Sequence, residues 1–235
     1  MQIQNKLPLN SNVLKIIAIV SMVVDHTSIW LVPKGTTLDI ILHTFGRLAA
    51  PIMCYLIAEG YFFTSNIKKY TKRLFIFALI SHFPFVLYLG ISWWQGTSVI
   101  WGLLMGLVAL TISQNVNLSL WKKGLLIVLC CMLAWTADWN YIAVLWILFF
   151  GIFKNNFNMQ MLSFAVIGIV FYIIPGISNS GIDAIFRFGI FLTIPLLYLY
   201  SGERGRKSMI IKWGFYVIYP LHLLILYILR YFIFA

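Results

Sequence analysis

The chain has 235 residues, 62% of them hydrophobic and only 10% charged, whereas a soluble domain is roughly a quarter charged. That composition excludes a soluble globular fold and predicts an all-α, polytopic transmembrane helix bundle. A β-barrel is not expected, because the apolar runs are continuous for roughly 17 to 22 residues and do not alternate with period two. The formal net charge of +11 would point a soluble protein towards nucleic acid, but here topology-setting loop cations account for it, and no nucleic-acid partner is expected.

Nine apolar spans are expected, at roughly 13–33, 38–63, 74–91, 97–113, 122–137, 141–153, 159–175, 183–201 and 213–233. The sixth is short enough to pair with the fifth as a re-entrant element, so the range is eight to ten. Lys6, the cluster Lys68, Lys69, Lys72 and Arg73, the pair Lys122 and Lys123, Lys154, and Arg204, Arg206, Lys207 and Lys212 all fall on one side. The other side holds Lys34, with Arg230 near the C-terminus, so the N-terminus is expected in the cytoplasm. The outer connections carry Trp93-Trp94, Asp138-Trp139-Asn140 and Asn179-Ser180-Gly181, where tryptophan usually marks the interfacial belt. Cys54, Cys130 and Cys131 lie in apolar runs without metal spacing and read as small core residues. No cleavable signal peptide is evident. No repeat or soluble domain interrupts residues 1–235, which read as a single membrane domain.

Within the first span, LKIIAIVSMVVDHT, Lys15 and His26 stand eleven positions apart. Eleven steps of a helix return to within roughly 20° of the starting face and rise roughly 16 Å. Ionisable groups at that depth are expected to face a protein cavity and not lipid. Asp25 diverges from its neighbour His26 by about 100°, so it is expected to pair with a cation on another span, Arg47 or Arg187. His26 is then left to titrate as an acid–base group.

In the second span His43 and Arg47 share a face one turn apart, and Pro51 is expected to kink the helix, with Gly46, Ala49 and Ala50 allowing close packing. Glu59 lies near the cytoplasmic end, where Lys68 or Lys15 could meet it. The third span contributes His82 beside Pro84. Asp183 and Arg187, four apart, are expected to satisfy each other. In the last span Pro220, two residues ahead of His222, frees the carbonyl of Tyr216, one turn back.

The stretches LKIIAIVSMVVDH (14–26), FGRLAAPIMCYLIAEGYFFT (45–64) and KKYTKRLFIFALISHFPF (68–85) together resemble the TraX family, membrane proteins named for the acetylase of the conjugative F-pilin N-terminal amine. The likeness is specific over the first 85 or so residues and looser afterwards, apart from YPLHLLIL near the C-terminus. A cation, ten residues and a histidine in the first span is also similar to the transmembrane acyltransferases that O-acetylate envelope sugars. This chain carries Lys15 where those proteins mostly have Arg, and it is shorter than they are.

The resemblance implies a membrane-embedded acetyltransferase of a bacterial cytoplasmic membrane, moving an acetyl group from cytoplasmic acetyl-CoA to an amine or hydroxyl of a peptide, glycan or lipid acceptor. It implies His26 as base or acyl carrier with Asp25 and Arg47 beside it. Lys15, Lys68, Lys69 and Arg73 would meet the donor phosphates, although no Gly-rich phosphate loop is present. Glu59, His82, His222 and Arg187 would line the substrate path or support it. No metal is expected, and membrane lipids are the expected surroundings. Two other readings use the same residues: a proton-coupled transporter or lipid flippase with Asp25, His26, Glu59 and His82 as relay, and a scaffold of pilus or secretion machinery without chemistry.

Overall fold

Asn10 opens α1 (Ser11–Leu31) by accepting the N–H groups of Asn12 and Val13 on its side chain, which satisfies two donors the first turn leaves free. The computed structural model describes residues 8–206 and 208–233. Lys6, Lys207 and the side chain of Lys212, three of the topology-setting cations, lie outside the described residues. After α1 come α2 (Thr37–Gly46), α3 (Ala49–Phe63), α4 (Ile67–Leu89), α5 (Val99–Ser113), α6 (Leu120–Leu133) and α7 (Asn140–Ile152). Then follow α8 (Phe157–Gly168), a π-helical stretch Ile169–Ile173, α9 (Ile174–Ser180), a 3₁₀ stretch Gly181–Leu192, α10 (Thr193–Tyr198) and α11 (Met209–Ile228). No β-strand is present among the described residues.

Five helical stretches among the described residues are long and apolar enough to cross a membrane: 11–31, 37–63, 67–89, 157–198 and 213–233. Helices 99–113 and 140–152 are apolar but shorter. Helix length therefore carries five long spans and not the expected nine, in part because 157–198 covers two of them. Gly181, at φ +58°, turns that stretch back on itself. Gly168 then lies against Ile190 and Gly176 against Arg187, the antiparallel register of a helical hairpin.

The second apolar span breaks earlier than its proline suggests. The interruption falls at Arg47 and Leu48, and Pro51 sits in the first turn of α3. A first-turn N–H has no acceptor within the helix, so proline is tolerated there without forcing a kink. The close approach expected of Gly46 is real: a Cβ at that position would lie 2.5 Å from Cβ of Asp25 and 2.6 Å from its Cγ.

The two ends of the bundle are tied differently. At one end, Leu9 pairs with the chain after α10 (Leu9 N to Leu199 O 3.2 Å, Ser201 N to Leu9 O 2.8 Å). Arg204 there donates to the carbonyl of Phe63, and Lys154 stands over the Phe62 ring. Arg204 and Lys154, two of the cations expected on one side of the membrane, thus stand together at the C-terminal end of α3. At the other end, Thr97 N donates to Thr136 O (2.8 Å) and Asp138 N to Thr97 O (3.0 Å), joining the connection before α5 to the one before α7. Trp93 and Trp94 are exposed at this end, as an interfacial belt requires. Trp139, by contrast, is buried over Arg47, so its role is packing and not membrane anchoring.

Candidate functional site

One cavity of about 760 Å³ runs inside the bundle. From α1 it is lined by Lys15, Ile19, Met22 and His26, a spacing of four, three and four residues that keeps one helical face turned inward. The cation and the imidazole of the first span therefore share one chamber, Lys15 towards the basic end and His26 at depth. Arg73, Arg204 and Arg206 line the basic end with Glu59. Asp25, Asp138, Trp139 and Tyr219 line it near His26.

His26 is buried, and its Nδ1 lies 2.9 Å from Nε2 of His222 on α11. The two rings are parallel to within 4° with centroids 5.2 Å apart, an edge-to-edge arrangement that puts the N–H···N bond in the ring planes. His222 Nδ1 lies 3.1 Å from the carbonyl of Ile218 and must donate to it. With one proton on each ring, Nε2 of His222 is then an acceptor and Nδ1 of His26 the donor. Nε2 of His26 keeps its lone pair, and no described residue bonds to it. Tyr88 on α4 donates its hydroxyl to the backbone carbonyl of His26, fixing this turn of α1 against α4.

Asp25 forms the second half of the site. Its Oδ1 accepts from Arg47 and from Nδ1 of His43 (2.8 Å), so the expected partnership with Arg47 is present, and Arg187 is not its partner. Nε2 of His43 is 3.2 Å from Oδ1 of Asp39, an ion-pair distance one turn back. Arg47 also donates to the Tyr172 hydroxyl (3.0 Å) and packs against the rings of Trp139 and Phe186. It stands behind Asp25 and does not line the cavity, so it neutralises and holds the carboxylate without facing bound substrate. A carboxylate in a low-dielectric interior persists only when paired and hydrogen-bonded in this way.

Arg187 and Asp183 do not satisfy each other. The segment is 3₁₀-helical, where four residues advance by roughly 480° and leave the two side chains about 120° apart. Arg187 instead donates to the Tyr172 carbonyl (2.8 Å) and lies over the Tyr172 ring, and Asp183 is exposed. Arg187 is thus a support for Tyr172 and, through it, for Arg47. His82 makes an edge contact with Phe83 and does not line the cavity. Lys68 and Lys69 are exposed on the first turn of α4, whereas Arg73 reaches the cavity. Glu59 faces the cavity with no ion pair to Lys15 or Lys68; its electrostatic neighbour is Lys154. Among the described residues no group of three or more His, Cys, Asp or Glu side chains could hold a metal. The cysteines are free, as expected of small core residues.

Three contributors escaped the sequence: Tyr88, Tyr172 and Asp138. The tyrosines are two among twelve, with nothing local to mark them. Asp138 sat in an apparent outer loop, whereas Arg204 and Arg206 belong to a cluster weighed for topology, anionic lipid or donor phosphates without either being singled out.

The model of the TraX protein family matches residues 10–230. A probable fimbrial assembly protein of Dichelobacter nodosus, FimC of serogroup H1, is 27% identical over 237 residues, covering 91% of this chain and 92% of its own length. No solved structure matches.

Proposed function

Because this chain belongs to the TraX family, we propose that it is a membrane-embedded acetyltransferase that carries an acetyl group from acetyl-CoA to an amine or hydroxyl of an envelope acceptor. The observation that carries this reading is the single cavity joining a mouth of cations to the free Nε2 of His26. Acetyl-CoA enters from the basic end, which the positive-inside rule puts in the cytoplasm of a bacterial inner membrane. Lys15, Arg73, Arg204 and Arg206 meet its phosphates, in place of the exposed Lys68 and Lys69. The roughly 16 Å of helix between Lys15 and His26 suits the length of a pantetheine arm.

His26 acts as general base. Its Nε2 takes the proton of the acceptor as the acceptor nitrogen or oxygen bonds to the acetyl carbon. The carbon–sulfur bond breaks, and the proton passes to the departing thiolate. Asp25, held by Arg47 and His43, keeps a fixed negative charge beside the imidazolium that forms. The name of the Dichelobacter relative supports an acceptor among the subunits of a surface fibre, and it also suits an assembly role without chemistry.

Vesicles carrying the protein, given labelled acetyl-CoA and envelope material, separate these readings. Transfer to an acceptor that disappears in His26→Ala supports the enzyme. Transfer that survives His26→Ala, or none from the parent, rejects it. Proton-coupled uptake by vesicles lacking acetyl-CoA would favour a transporter.

A further inference from the structure

Asp138 faces the same chamber as His26, yet nothing described pairs with its carboxylate. Its backbone is fixed by the bond to Thr97 and by the bridge between Thr97 and Ala137, so the side chain is held in place by two joined connections. Asp138 is an exposed residue, and its side chain lines the cavity. The charged and titratable groups that face it are Asp25 on α1, Arg47 between α2 and α3, and Tyr219 on α11. Arg47 is already committed to Asp25 and Tyr172. The hydroxyls of Tyr219 and Ser98, 6% and 1% exposed, lie against each other close by, and Tyr219 lines the cavity. A carboxylate with no ion-pair or hydrogen-bond partner, lining a chamber walled largely by apolar side chains, is completed by a cationic ligand.

We propose that Asp138 is the acceptor-binding residue: its carboxylate seats a primary ammonium group of the acceptor in the chamber that His26 lines and takes the first of the two protons that the ammonium loses. This rests on the acetyltransferase reading. The ammonium gives one proton to Asp138 and becomes a neutral amine. That amine attacks the acetyl carbon, His26 accepts the second proton and delivers it to the thiolate, and Asp138 releases the first proton to water. The Tyr219 hydroxyl, which also lines the cavity, supplies a hydrogen bond to the remaining polar atoms of the acceptor terminus. Desolvation at the cavity wall pushes the Asp138 carboxyl up to about 6, within range for exchanging a proton near neutral pH.

The test uses the full-length protein in liposomes with labelled acetyl-CoA and two probes: a short peptide with a free N-terminal amine, and the same peptide with a hydroxyl in place of that amine. For Asp138→Asn the KM of the amine peptide is expected to rise at least tenfold, with the hydroxyl peptide unchanged. The parent's KM for the amine peptide should rise as pH falls through about 6, a limb absent from Asp138→Asn and restored by Asp138→Glu. Equal loss with both probes would show a structural role and overturn the assignment, as would an unchanged amine KM. Transfer by the parent to neither probe would overturn the acetyltransferase reading, and the assignment with it.

Discussion

His222 Nε2 sits 2.9 Å from His26 Nδ1 across 196 residues of sequence, and that bond decides which nitrogen of His26 is free to react. Replacing His222 with Phe keeps a ring there but removes the acceptor, so the proton of His26 can move to Nε2 and block the lone pair. Transfer from acetyl-CoA is expected to fall by about ten- to a hundredfold, within the range for general-base catalysis. His222→Gln can present its carbonyl oxygen to His26 Nδ1 and should retain most activity. Equal activity of the two variants would show that the tautomer is not controlled from α11.

The donor mouth separates two groups of cations that look alike in the sequence. Arg73→Gln and Arg206→Gln should each raise the KM for acetyl-CoA several-fold, with the loss reduced in high salt as screening weakens the parent too. Lys68→Gln and Lys69→Gln, on an exposed face, should leave that KM within twofold. Initial rates over a range of acetyl-CoA concentrations make the comparison, and a reversed order would move the donor site out of the cavity.

The close approach of α2 to α1 depends on Gly46. The methyl group of Gly46→Ala would meet the Asp25 side chain at 2.5 to 2.6 Å, and both partners of that carboxylate flank the contact. Overpacking of this kind costs about 1–3 kcal/mol. The melting temperature in detergent should drop by several degrees, and activity should fall with it. A variant as stable as the parent would mean that α2 can retreat without cost.

What could be read from the sequence followed from regular helix geometry. Lys15 and His26 share a face because eleven residues close three turns, and Asp25 found Arg47 because adjacent positions diverge. The Asp183–Arg187 pair failed for the same reason turned around: the segment is 3₁₀, and spacing rules for an α-helix do not hold there. Pro51 pointed to a kink that fell at Arg47–Leu48, since a proline in a first turn breaks nothing. Tyr172 carries Arg47 and Arg187 together, but only tertiary packing distinguishes it from the other tyrosines. Asp138 reached the site because Thr97 pulls two connections together, a pairing with no local signature.

Asp138 also predicts a trade between stability and function. Its carboxyl is raised from 3.8 to about 6 by desolvation at the cavity wall, so the folded protein binds this proton more tightly than the unfolded chain does. Stability from this group is therefore fullest below pH 3.8 and declines as pH rises towards 6, where the carboxylate must be ionised inside the protein. Asp138→Asn carries no such charge. Its melting temperature should exceed the parent's by a margin that grows between pH 4.5 and 6.5, in about the interval the raised pKa sets, and levels off above it. Thermal unfolding in detergent across that range, read beside the amine KM, would show the variant more stable and less able to bind its acceptor. A constant difference at every pH would mean that the Asp138 charge is not desolvated in the folded protein.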